Sequence, residues 1–455
     1  MMHIIDLRDL PSSRADLARV VPRAVTDVSA ATAVAAQLIA EVREQGEGAL
    51  LAQAERLDGV RPERIRIDSD QVNHAVTSLD SAVRDALEVS IARVRQATEA
   101  QVPSSTVTEL GPGAQVIQRW QPVNRVGLYV PGGKAVYPSS VVMNVVPAQV
   151  AGVSSIALAS PAQREFGGSV HPTILAAAGL LGIEEVYAMG GAGAIGAFAY
   201  GVPNLGLDPV EVITGPGNVY VAAAKRLVRG VVGIDSEAGP TEIMVIADAT
   251  ADAYLVATDL ISQAEHDELA AVVLVTDSPE LAHAVSAEVE LLVASTHHSA
   301  RVRIAIDGVQ SAVVLVADMA AAAAFSNAYG PEHLEIQTAT PGAVLENIDS
   351  AGAIFLGAHS PVSLGDYLAG SNHVLPTGGQ SRFASGLGAH TFLRPQQVIN
   401  YDRAALQQVS SQVVALSEAE DLPAHGAAVT ARFGNRHETR LVGLPHNVLP
   451  FLPTS

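Results

Sequence analysis

VGLYV at residues 126–130 opens a series of short β-rich runs, each of which leads into an Ala-rich segment with helical spacing. The other members of this series are SSIALAS at 154–160, EEVYAMG at 184–190 and VEVIT at 210–214. Strands that alternate with helices usually form a parallel sheet with crossover helices. This stretch therefore predicts an α/β domain.

A second series of the same kind begins at Glu242. Its runs are EIMVIAD (242–248), AAVVLVTD (270–277), SAVVLVAD (311–318), HLEIQTA (333–339) and AGAIFLG (351–357). Helical stretches such as PELAHAVSAEVELL separate them. The chain is therefore predicted to contain two α/β domains with parallel-rich sheets. Residues 28–103, and those from Gly388 to about Phe433, have helical periodicity.

Composition narrows the possible functions. The chain has 455 residues, and 48% of them are hydrophobic. A chain of this length is longer than one hydrophobic core usually organises. A formal net charge of -20 and a pI near 5.0 argue against nucleic acid or an anionic membrane as partner and favour a small molecule. The absence of cysteine excludes disulfides and cysteine nucleophiles. The first residues, MMHIIDLRDL, lack a signal-peptide pattern, so we expect a cytoplasmic protein.

Gln263 and His266 stand in the segment ATDLISQAEHDE. Val256, Leu260 and Gln263 share one helical stripe, so Gln263 extends an apolar face, where a buried amide needs a partner. His266 follows three residues later on the same surface, close enough for both side chains to converge on one atom. Spacing alone leaves two interpretations open, a metal site and a hydrogen-bonded helix end.

Glu332 and His333 form an adjacent titratable pair at the start of a strand, in YGPEHLEI. A carboxyl group and an imidazole offer two proton carriers of different pKa, although a solvated turn could have the same sequence. Asp366 and His373 lie in the Gly-rich segment SLGDYLAGSNHVLPTGG, whose length and composition favour a functional loop. The C-terminal segment adds two candidates for which a surface position is the alternative: Glu420 and His425.

Three glycine-rich loops could bring backbone N–H groups to phosphates, although α/β turns commonly contain glycine. GGAGAIG contains a literal G-x-G-x-x-G at Gly191, Gly193 and Gly196, after a strand and before a helix, as in a dinucleotide-binding fingerprint. The acidic residue that the fingerprint requires is less clear, because Asp208 falls in a turn. The other two loops are VPGGK at 130–134 and TGPGN at 214–218.

Five long motifs, in this order, resemble those of the histidinol dehydrogenase family. They are GIDSEAGPTEIMVIAD, DLISQAEHD, YGPEHLEIQT, GDYLAGSNHVLPTGG and EDLPAHG. The resemblance extends over nearly the whole chain, to about residue 433. It implies two incomplete Rossmann-like domains with small N-terminal and helical C-terminal segments. It also implies oxidation of L-histidinol through L-histidinal to L-histidine with two NAD, the final step of histidine biosynthesis.

The resemblance assigns roles to individual residues. Zinc in the family is held by a Gln, a His three residues later, an Asp in GDY and a C-terminal His, which correspond here to Gln263, His266, Asp366 and His425. His333 corresponds to the general base and Glu332 to the residue that activates water, which must add directly because the chain has no cysteine. The implied substrate contacts are Thr241, Gln263, His266, His333, Asp366, His373, Glu420 and His425.

The family's NAD contacts correspond to Tyr129, Gly193 and Asn218. The family commonly has Gln where this chain has Gly193, so that side-chain contact is missing, and the literal glycine fingerprint is interpreted as an accident of this change. Family members are intertwined homodimers, which implies that Glu420 and His425 serve the partner's active site. Zinc would mainly position the substrate's imidazole and amino nitrogens.

The resemblance also implies a division of the chain. The predicted segments are an N-terminal piece 1–27, a first α/β domain with the metal and catalytic residues at 28–128 and 241–387, an NAD-side α/β domain at 129–240, a helical dimer-exchanged segment at 388–433 and a tail at 434–455. Two other functions stay open. One is a zinc hydrolase, and the other is a non-catalytic protein that binds metal or an imidazole.

Overall fold

The computed structural model describes residues 2–9, 13–23, 28–132, 136–237 and 239–434. The chain divides into two compact units. The first unit consists of the residues up to Val102 together with Pro122–Leu393. The second unit consists of Pro103–Gln121 and the described residues from Arg394 onward. Lys134 of the VPGGK loop and the tail from 435 to 455 lie outside the described residues.

A six-stranded parallel sheet in the first unit contains the second series of runs. Its strands in spatial order are β1 (His3–Asp6), β11 (Ala312–Leu315), β10 (Ala271–Thr276), β9 (Glu242–Ala247), β12 (His333–Gln337) and β13 (Ala353–Leu356). β9, β10 and β12 are buried along their whole length, as expected for parallel strands covered on both faces.

A five-stranded parallel sheet, also in the first unit, contains the first series of runs. Its strands in spatial order are β6 (Val186–Ala188), β5 (Ser155–Ser160), β4 (Arg125–Tyr129), β7 (Val212–Thr214) and β8 (Gly233–Ile234). Each run quoted above overlaps one of the strands of these two sheets. The prediction of an α/β fold with two parallel-rich sheets is confirmed.

Helices connect the strands of both sheets. Those of the first unit are α1 (Arg14–Val20), α2 (Val28–Gln45), α3 (Glu47–Gln53), α4 (Ser69–Thr77), α5 (Ser81–Glu99), α6 (Pro138–Ala151), α7 (Pro172–Leu180), α8 (Gly191–Tyr200), α9 (Val219–Val228), α10 (Ala253–Ala264), α11 (Pro279–Ser295), α12 (Ser299–Asp307), α13 (Met319–Tyr329), α14 (Pro341–Leu345) and α15 (Val362–Tyr367). In the part of the chain that is described, no helix combines the length and apolar character needed to cross a membrane.

Two hydrophobic cores cover the two faces of the six-stranded sheet. Successive side chains of a strand point to opposite faces. Ile243 and Val245 of β9 accordingly pack with α10, α11 and α12, whereas Met244 and Ile246 pack with α13. This packing holds α10, which carries Gln263, against the face of the sheet that β9 shares with β12.

Two segments pack differently from our prediction. β1 pairs in parallel with β11, so the N-terminal piece supplies an edge strand of the six-stranded sheet. The helices from residue 28 onward, which our prediction places in the first α/β domain, pack against helices of the five-stranded sheet instead. α2 packs on α8 and α9, α4 packs on α7, and α5 packs on α6. Periodicity shows that a helix has an apolar face, but it does not identify the surface that this face covers.

The second unit contains a sheet and two helices. The sheet has the order β14 (Leu393–Tyr401), β3 (Ala114–Pro122) and β2 (Thr106–Gly111), with β2 and β3 antiparallel. α16 (Arg403–Ala419) and α17 (Pro423–Thr430) follow and pack on each other. The C-terminal segment is therefore not helical throughout. Most side chains of β14 are exposed and several are polar, so no apolar alternation marks this strand in the sequence.

Candidate active site

The candidate catalytic side chains lie at the amino-terminal ends of β9 and β12. His333 is the first residue of β12 and is paired with Ile243 of β9. α10 returns the chain from the carboxyl end of β9 to the start of β10, so its last turn, with Gln263, lies at the same edge of the sheet. Segments that are distant in sequence therefore meet at this edge.

Thr241 connects Gln263 to Glu332. The amide Nε2 of Gln263 donates to Thr241 Oγ1 at 2.5 Å, and the Thr241 hydroxyl donates to Glu332 Oε2 at 2.5 Å. The backbone N–H of Glu242 donates to the same carboxylate oxygen at 2.8 Å. Gln263 Oε1, by contrast, is buried and has no hydrogen-bond partner among the described residues. Its lone pairs are therefore available to a ligand.

His333 is held as a neutral imidazole with one free nitrogen. Its Nδ1 lies 3.1 Å from the carbonyl oxygen of Glu242, which can only accept, so Nδ1 carries the hydrogen. Nε2 then has the lone pair, and it is buried without a partner in the part of the chain that the structure describes. Burial lowers the pKa of His333. The ring therefore stays neutral, and Nε2 is able to accept a proton.

Glu332 is the second proton carrier. Its Oε2 lies 3.6 Å from His333 Nδ1, and its side chain is 9% exposed. Burial raises the pKa of Glu332 to about 7, although the hydrogen bond from Thr241 acts in the opposite direction. A carboxyl group that titrates near neutrality can both take up and release a proton during turnover.

Asp366 lies in the last turn of α15, and His373 lies in the loop that follows this helix. His373 Nδ1 lies 3.0 Å from the carbonyl oxygen of Asp366 and must donate to it, so Nε2 accepts from Ser140 Oγ at 3.0 Å. Both ring nitrogens are thus satisfied within the chain, and burial lowers the pKa of His373. The Asp366 carboxylate lies 3.9 Å from His373 Nδ1, and after the effect of burial its charge raises the pKa of both Glu332 and His333.

The side chains at this edge fit a metal ion in part. Gln263 offers its unpartnered oxygen, and His266 is exposed at the end of α10. Among residues 2–434, where described, no three His, Cys, Asp or Glu side chains are grouped closely enough to hold a metal ion. The predicted ligand set differs from such a group of three, because one of its ligands is the amide of Gln263 and another is His425, which belongs to the second unit. This set stays a prediction.

Glu420 and His425 belong to the second unit. Glu420 directly follows α16, and His425 lies on α17. Both residues are exposed, so packing within their own unit does not bury them. Their position leaves them accessible to another surface.

The predicted NAD contacts lie near the carboxyl ends of strands in the five-stranded sheet, where open α/β sheets usually bind ligands. Tyr129 ends β4, and its hydroxyl oxygen accepts from the N–H of Gly191 at 3.1 Å. Burial raises the pKa of Tyr129 to about 12. Asn218 caps α9, where its Oδ1 accepts from the N–H groups of Tyr220 and Val221.

Gly193 lies in the first turn of α8 and is closely covered. A Cβ atom there would lie 2.1 Å from Oε1 of Gln53, a buried side chain of α3. A Cβ atom at Gly196 would lie 3.3 Å from Ile39 of α2. These two glycines of the literal fingerprint allow α2 and α3 to approach α8, which supports our interpretation that the fingerprint is accidental.

A chain of hydrogen-bonded polar groups connects β7 of the five-stranded sheet to His373 and was missed in the sequence. The carbonyl oxygen of Ser140, whose hydroxyl contacts His373, accepts from Asn144 Nδ2 at 2.8 Å. Asn144 Oδ1 accepts from the Thr214 hydroxyl at 2.7 Å, at the start of the TGPGN loop. The only sequence signal is polar residues in the otherwise apolar stretch SSVVMNVV, and this signal does not identify their partners.

Comparisons with known proteins point to one family. The family model described as histidinol dehydrogenase matches residues 21–433. The chain is 69% identical over 435 residues to the histidinol dehydrogenase of Leifsonia xyli subsp. xyli, covering 96% of this chain and 100% of that protein. It is 53% identical to the one from Corynebacterium glutamicum, covering 96% and 98%. The crystal structure of histidinol dehydrogenase from Elizabethkingia anophelis matches with a TM-score of 0.88 and 30% identity, covering 95% and 98%. The family predicted from the motifs is confirmed.

Proposed function

Because the chain belongs to the histidinol dehydrogenase family, and is an NAD-dependent oxidoreductase of histidine biosynthesis, we propose that it oxidises L-histidinol through L-histidinal to L-histidine. Each half-reaction removes two electrons from the substrate carbon, and each pair leaves as a hydride. The observation that carries this proposal is His333, whose Nε2 is buried and has no partner in the described chain. Glu332 lies beside it with a pKa of about 7.

His333 acts as the base in the first half-reaction. Its Nε2 takes the hydroxyl proton of the alcohol as the hydride leaves the same carbon, which produces the aldehyde. The Glu242 carbonyl, 3.1 Å from Nδ1, accepts a hydrogen bond from the ring before and after this transfer. It therefore keeps the imidazole oriented and stabilises the imidazolium that forms.

Glu332 acts in the second half-reaction. An aldehyde carries no hydroxyl, so water must first add to its carbonyl carbon before a second hydride can leave. Glu332 takes a proton from the attacking water, which leaves a tetrahedral alkoxide, and loss of a hydride from this adduct gives the carboxylic acid. The hydrogen bonds to Oε2 from Thr241 and from the Glu242 N–H hold this carboxylate in place.

Zinc and NAD complete the chemistry when bound, since NAD accepts the hydride and zinc holds the imidazole and amino nitrogens of the substrate. The hydrogen bonds of Gln263 support its role as a ligand. Its Nε2 donates to Thr241, whereas its Oε1 has no partner among the described residues. The proposed zinc ligands are Gln263, His266, Asp366 and His425. The proposed further substrate contacts are Thr241, His333, His373 and Glu420, and the NAD contacts are Tyr129, Gly193 and Asn218.

We further propose a homodimer with shared active sites. Glu420 and His425 are exposed on the second unit, although the proposed reaction uses both. An ammonium or imidazole group of the substrate is attracted to a carboxylate, which gives Glu420 a physical role. A cytoplasmic location stays a prediction.

The stoichiometry of the reaction tests the proposal. Zinc-loaded protein is given limiting L-histidinol and excess NAD, and we expect two NADH and one L-histidine for each histidinol consumed. One NADH for each histidinol, with histidinal accumulating, would contradict the four-electron reaction. No NADH from folded, zinc-loaded protein would contradict the reaction as a whole and favour the hydrolase or the binding protein.

A further inference from the structure

β12 carries polar side chains on one face directly beside the candidate site. His333, Glu335 and Gln337 alternate along the strand, with Glu335 1% exposed and Gln337 5% exposed. Their partners on the neighbouring strand β9 are all apolar, namely Ile243, Val245 and Ala247. Buried polar groups are harder to accommodate than apolar ones, so this run is expected to have a role.

Glu335 and Asp259 form a carboxyl pair around Gln337. The Gln337 amide Nε2 donates to Glu335 Oε2 at 2.9 Å and to Asp259 Oδ2 at 3.0 Å. Glu335 Oε1 accepts from the backbone N–H of Val362 at 2.9 Å. Asp259 belongs to α10, and Val362 is the first residue of α15. One buried cluster therefore joins β12 to both helices.

Each of the three elements that the cluster connects, β12, α10 and α15, carries a residue of the proposed site close to the cluster. Gln263 lies four residues after Asp259 on α10, and Asp366 lies four residues after Val362 on α15. Either separation corresponds to one helical turn, a rise of about 6 Å. His333 lies two residues before Glu335, about 7 Å along a strand. A displacement at the cluster would therefore reach all three side chains.

We propose that the Asp259–Glu335 carboxyl pair positions the metal and substrate site by tying α10, α15 and β12 together. Glu335 and Asp259 are positioning residues, because they act through Gln263, Asp366 and His333. The inference rests on the proposed function. Partners behind the ligands of a metal site orient those ligands, and losing one weakens metal binding even though it never touches the ion.

Glu335 is accommodated in a buried position, beside the partly exposed Asp259, because the pair is hydrogen-bonded and carries a proton. Burial and, after it, the nearby Asp259 carboxylate raise the pKa of Glu335 to about 8. Protonated Glu335 can therefore donate to Asp259, which leaves one negative charge on the pair rather than two. The amide of Gln337 stabilises the remaining charge, since it donates to both carboxyl groups.

Two substitutions at Glu335 separate positioning from mere folding. Glu335→Leu removes every hydrogen bond of the cluster that Glu335 makes. Glu335→Gln keeps a hydrogen-bonding group at each contact of Glu335, because its oxygen can accept from Val362 and its NH₂ group can donate to Asp259. The Gln337 amide turns, so that its Oε1, which has no partner among the described residues, accepts from the new NH₂ group in place of the bond from Gln337 Nε2 to Asp259. Glu185→Leu is the matched control, because it removes a half-buried carboxylate, bound to Arg125 at 2.9 Å, from the five-stranded sheet.

Metal affinity and the spectrum of the cobalt-substituted protein are the decisive measurements. We expect Glu335→Leu to weaken zinc binding by about 10- to 100-fold and to alter the cobalt absorption spectrum. Glu335→Gln is expected to stay close to the parent in both. Glu185→Leu is expected to lower the unfolding temperature while leaving both unchanged. Asp259→Ala carries the same expectation as Glu335→Leu and replaces it if that variant is not recovered folded.

Two results would overturn the inference. One is a zinc affinity equal to that of the parent in folded Glu335→Leu or Asp259→Ala. The other is an equal loss of zinc affinity in Glu335→Gln and Glu335→Leu. Failure of the proposed function has a different signature, because the parent protein itself would then bind no zinc or would produce no NADH from histidinol.

Discussion

His333 donates its Nδ1 hydrogen to the backbone carbonyl of Glu242 at 3.1 Å, and this contact determines which ring nitrogen is available for chemistry. A carbonyl oxygen cannot donate, so the lone pair must be on Nε2. Nε2 is buried and has no partner within the described chain. The ring is thus prepared as a base before any substrate binds.

Replacing His333 should remove the proton acceptor of the first half-reaction. We expect His333→Asn to lower turnover of histidinol by about 10²- to 10⁴-fold, since a positioned base contributes a factor of this size. Zinc content should stay at the parent level. NADH absorbance and metal analysis provide the two measurements. The exposed His359→Asn is the control. Parent-like turnover of His333→Asn would refute the role of this residue.

Glu332→Gln should separate the two half-reactions. The amide cannot take a proton from water, so oxidation of added histidinal is expected to fall by about 10²-fold or more. Zinc binding should persist, because Glu332 is not among the proposed ligands. NADH formation from histidinal and from histidinol is measured in parallel. Equal rates from histidinal in the variant and the parent would show that another group activates the water.

Gly193→Gln, which introduces the residue that the family commonly has, should destabilise this chain. A Cβ atom at this position would lie 2.1 Å from Gln53 Oε1. Gln53 is buried and its Nε2 donates to the Leu38 carbonyl and to Glu41, so this side chain cannot move aside without losing contacts, and such overpacking costs about 1–3 kcal/mol. We expect a lower unfolding temperature and weaker NAD binding, measured by calorimetry. Adding Gln53→Ala should restore part of both losses. Gly48→Gln is the control, since a Cβ there meets no described atom within 4 Å. If Gln53→Ala restored neither the unfolding temperature nor NAD binding, contact with Gln53 would not be the cause of the losses in Gly193→Gln.

Mixed dimers should show whether His425 serves the partner's site. Glu332→Gln and His425→Ala homodimers are each expected to be inactive in the oxidation of added histidinal. Co-expressed chains should recover about a quarter of the parent activity, because half of the randomly formed dimers contain one intact shared site. Activity of the purified, differently tagged heterodimer is measured against both homodimers. If each site used residues of one chain only, no activity would return.

The stability of the protein should depend on pH through Glu335. Its folded-state pKa of about 8 lies above the ordinary value of 4.5, so the folded state holds this proton more tightly than the unfolded chain does. The stabilisation is complete below pH 4.5 and is lost as the pH rises toward 8. Denaturant unfolding of Glu335→Gln should show a smaller fall across this range, because its amide does not titrate.

The exposed Glu346→Gln is the control for this pH series and should follow the parent curve. Asp259 faces Glu335 and titrates with it, so the difference between the parent and Glu335→Gln belongs to the pair. Parallel curves for the parent and Glu335→Gln would contradict a proton held by the buried pair.

Much of the fold could be predicted because its signals are local. The strands of both sheets, apart from β1 and β8, were visible as short runs rich in Val, Ile and Ala, and parallel strands buried on both faces produce such runs. β1, β8 and all three strands of the second unit, β2, β3 and β14, were missed. β1 is only four residues long, and β14 is polar along most of its exposed length. Such strands are defined by their neighbours rather than by their own sequence.

The candidate site divides in the same way. The motifs containing Gln263, Glu332 and Asp366 could be assigned because each is a long, ordered stretch with a family resemblance. The Asp259–Glu335 pair could not be predicted, because no spacing relates a helix residue to a strand residue 76 positions later in the chain. The approach of Gln53 to Gly193 was hidden for the same reason.

The sequence by itself determined the α/β class, the family and the identity of the candidate proton carriers, because these follow from residue chemistry and order along the chain. Only the tertiary structure decided that Nε2 of His333 and Oε1 of Gln263 have no partner among the described residues. Their companion atoms contact Glu242 and Thr241, 91 and 22 residues away. The state of a buried polar atom depends on what folding places beside it, and long-range packing alone establishes that.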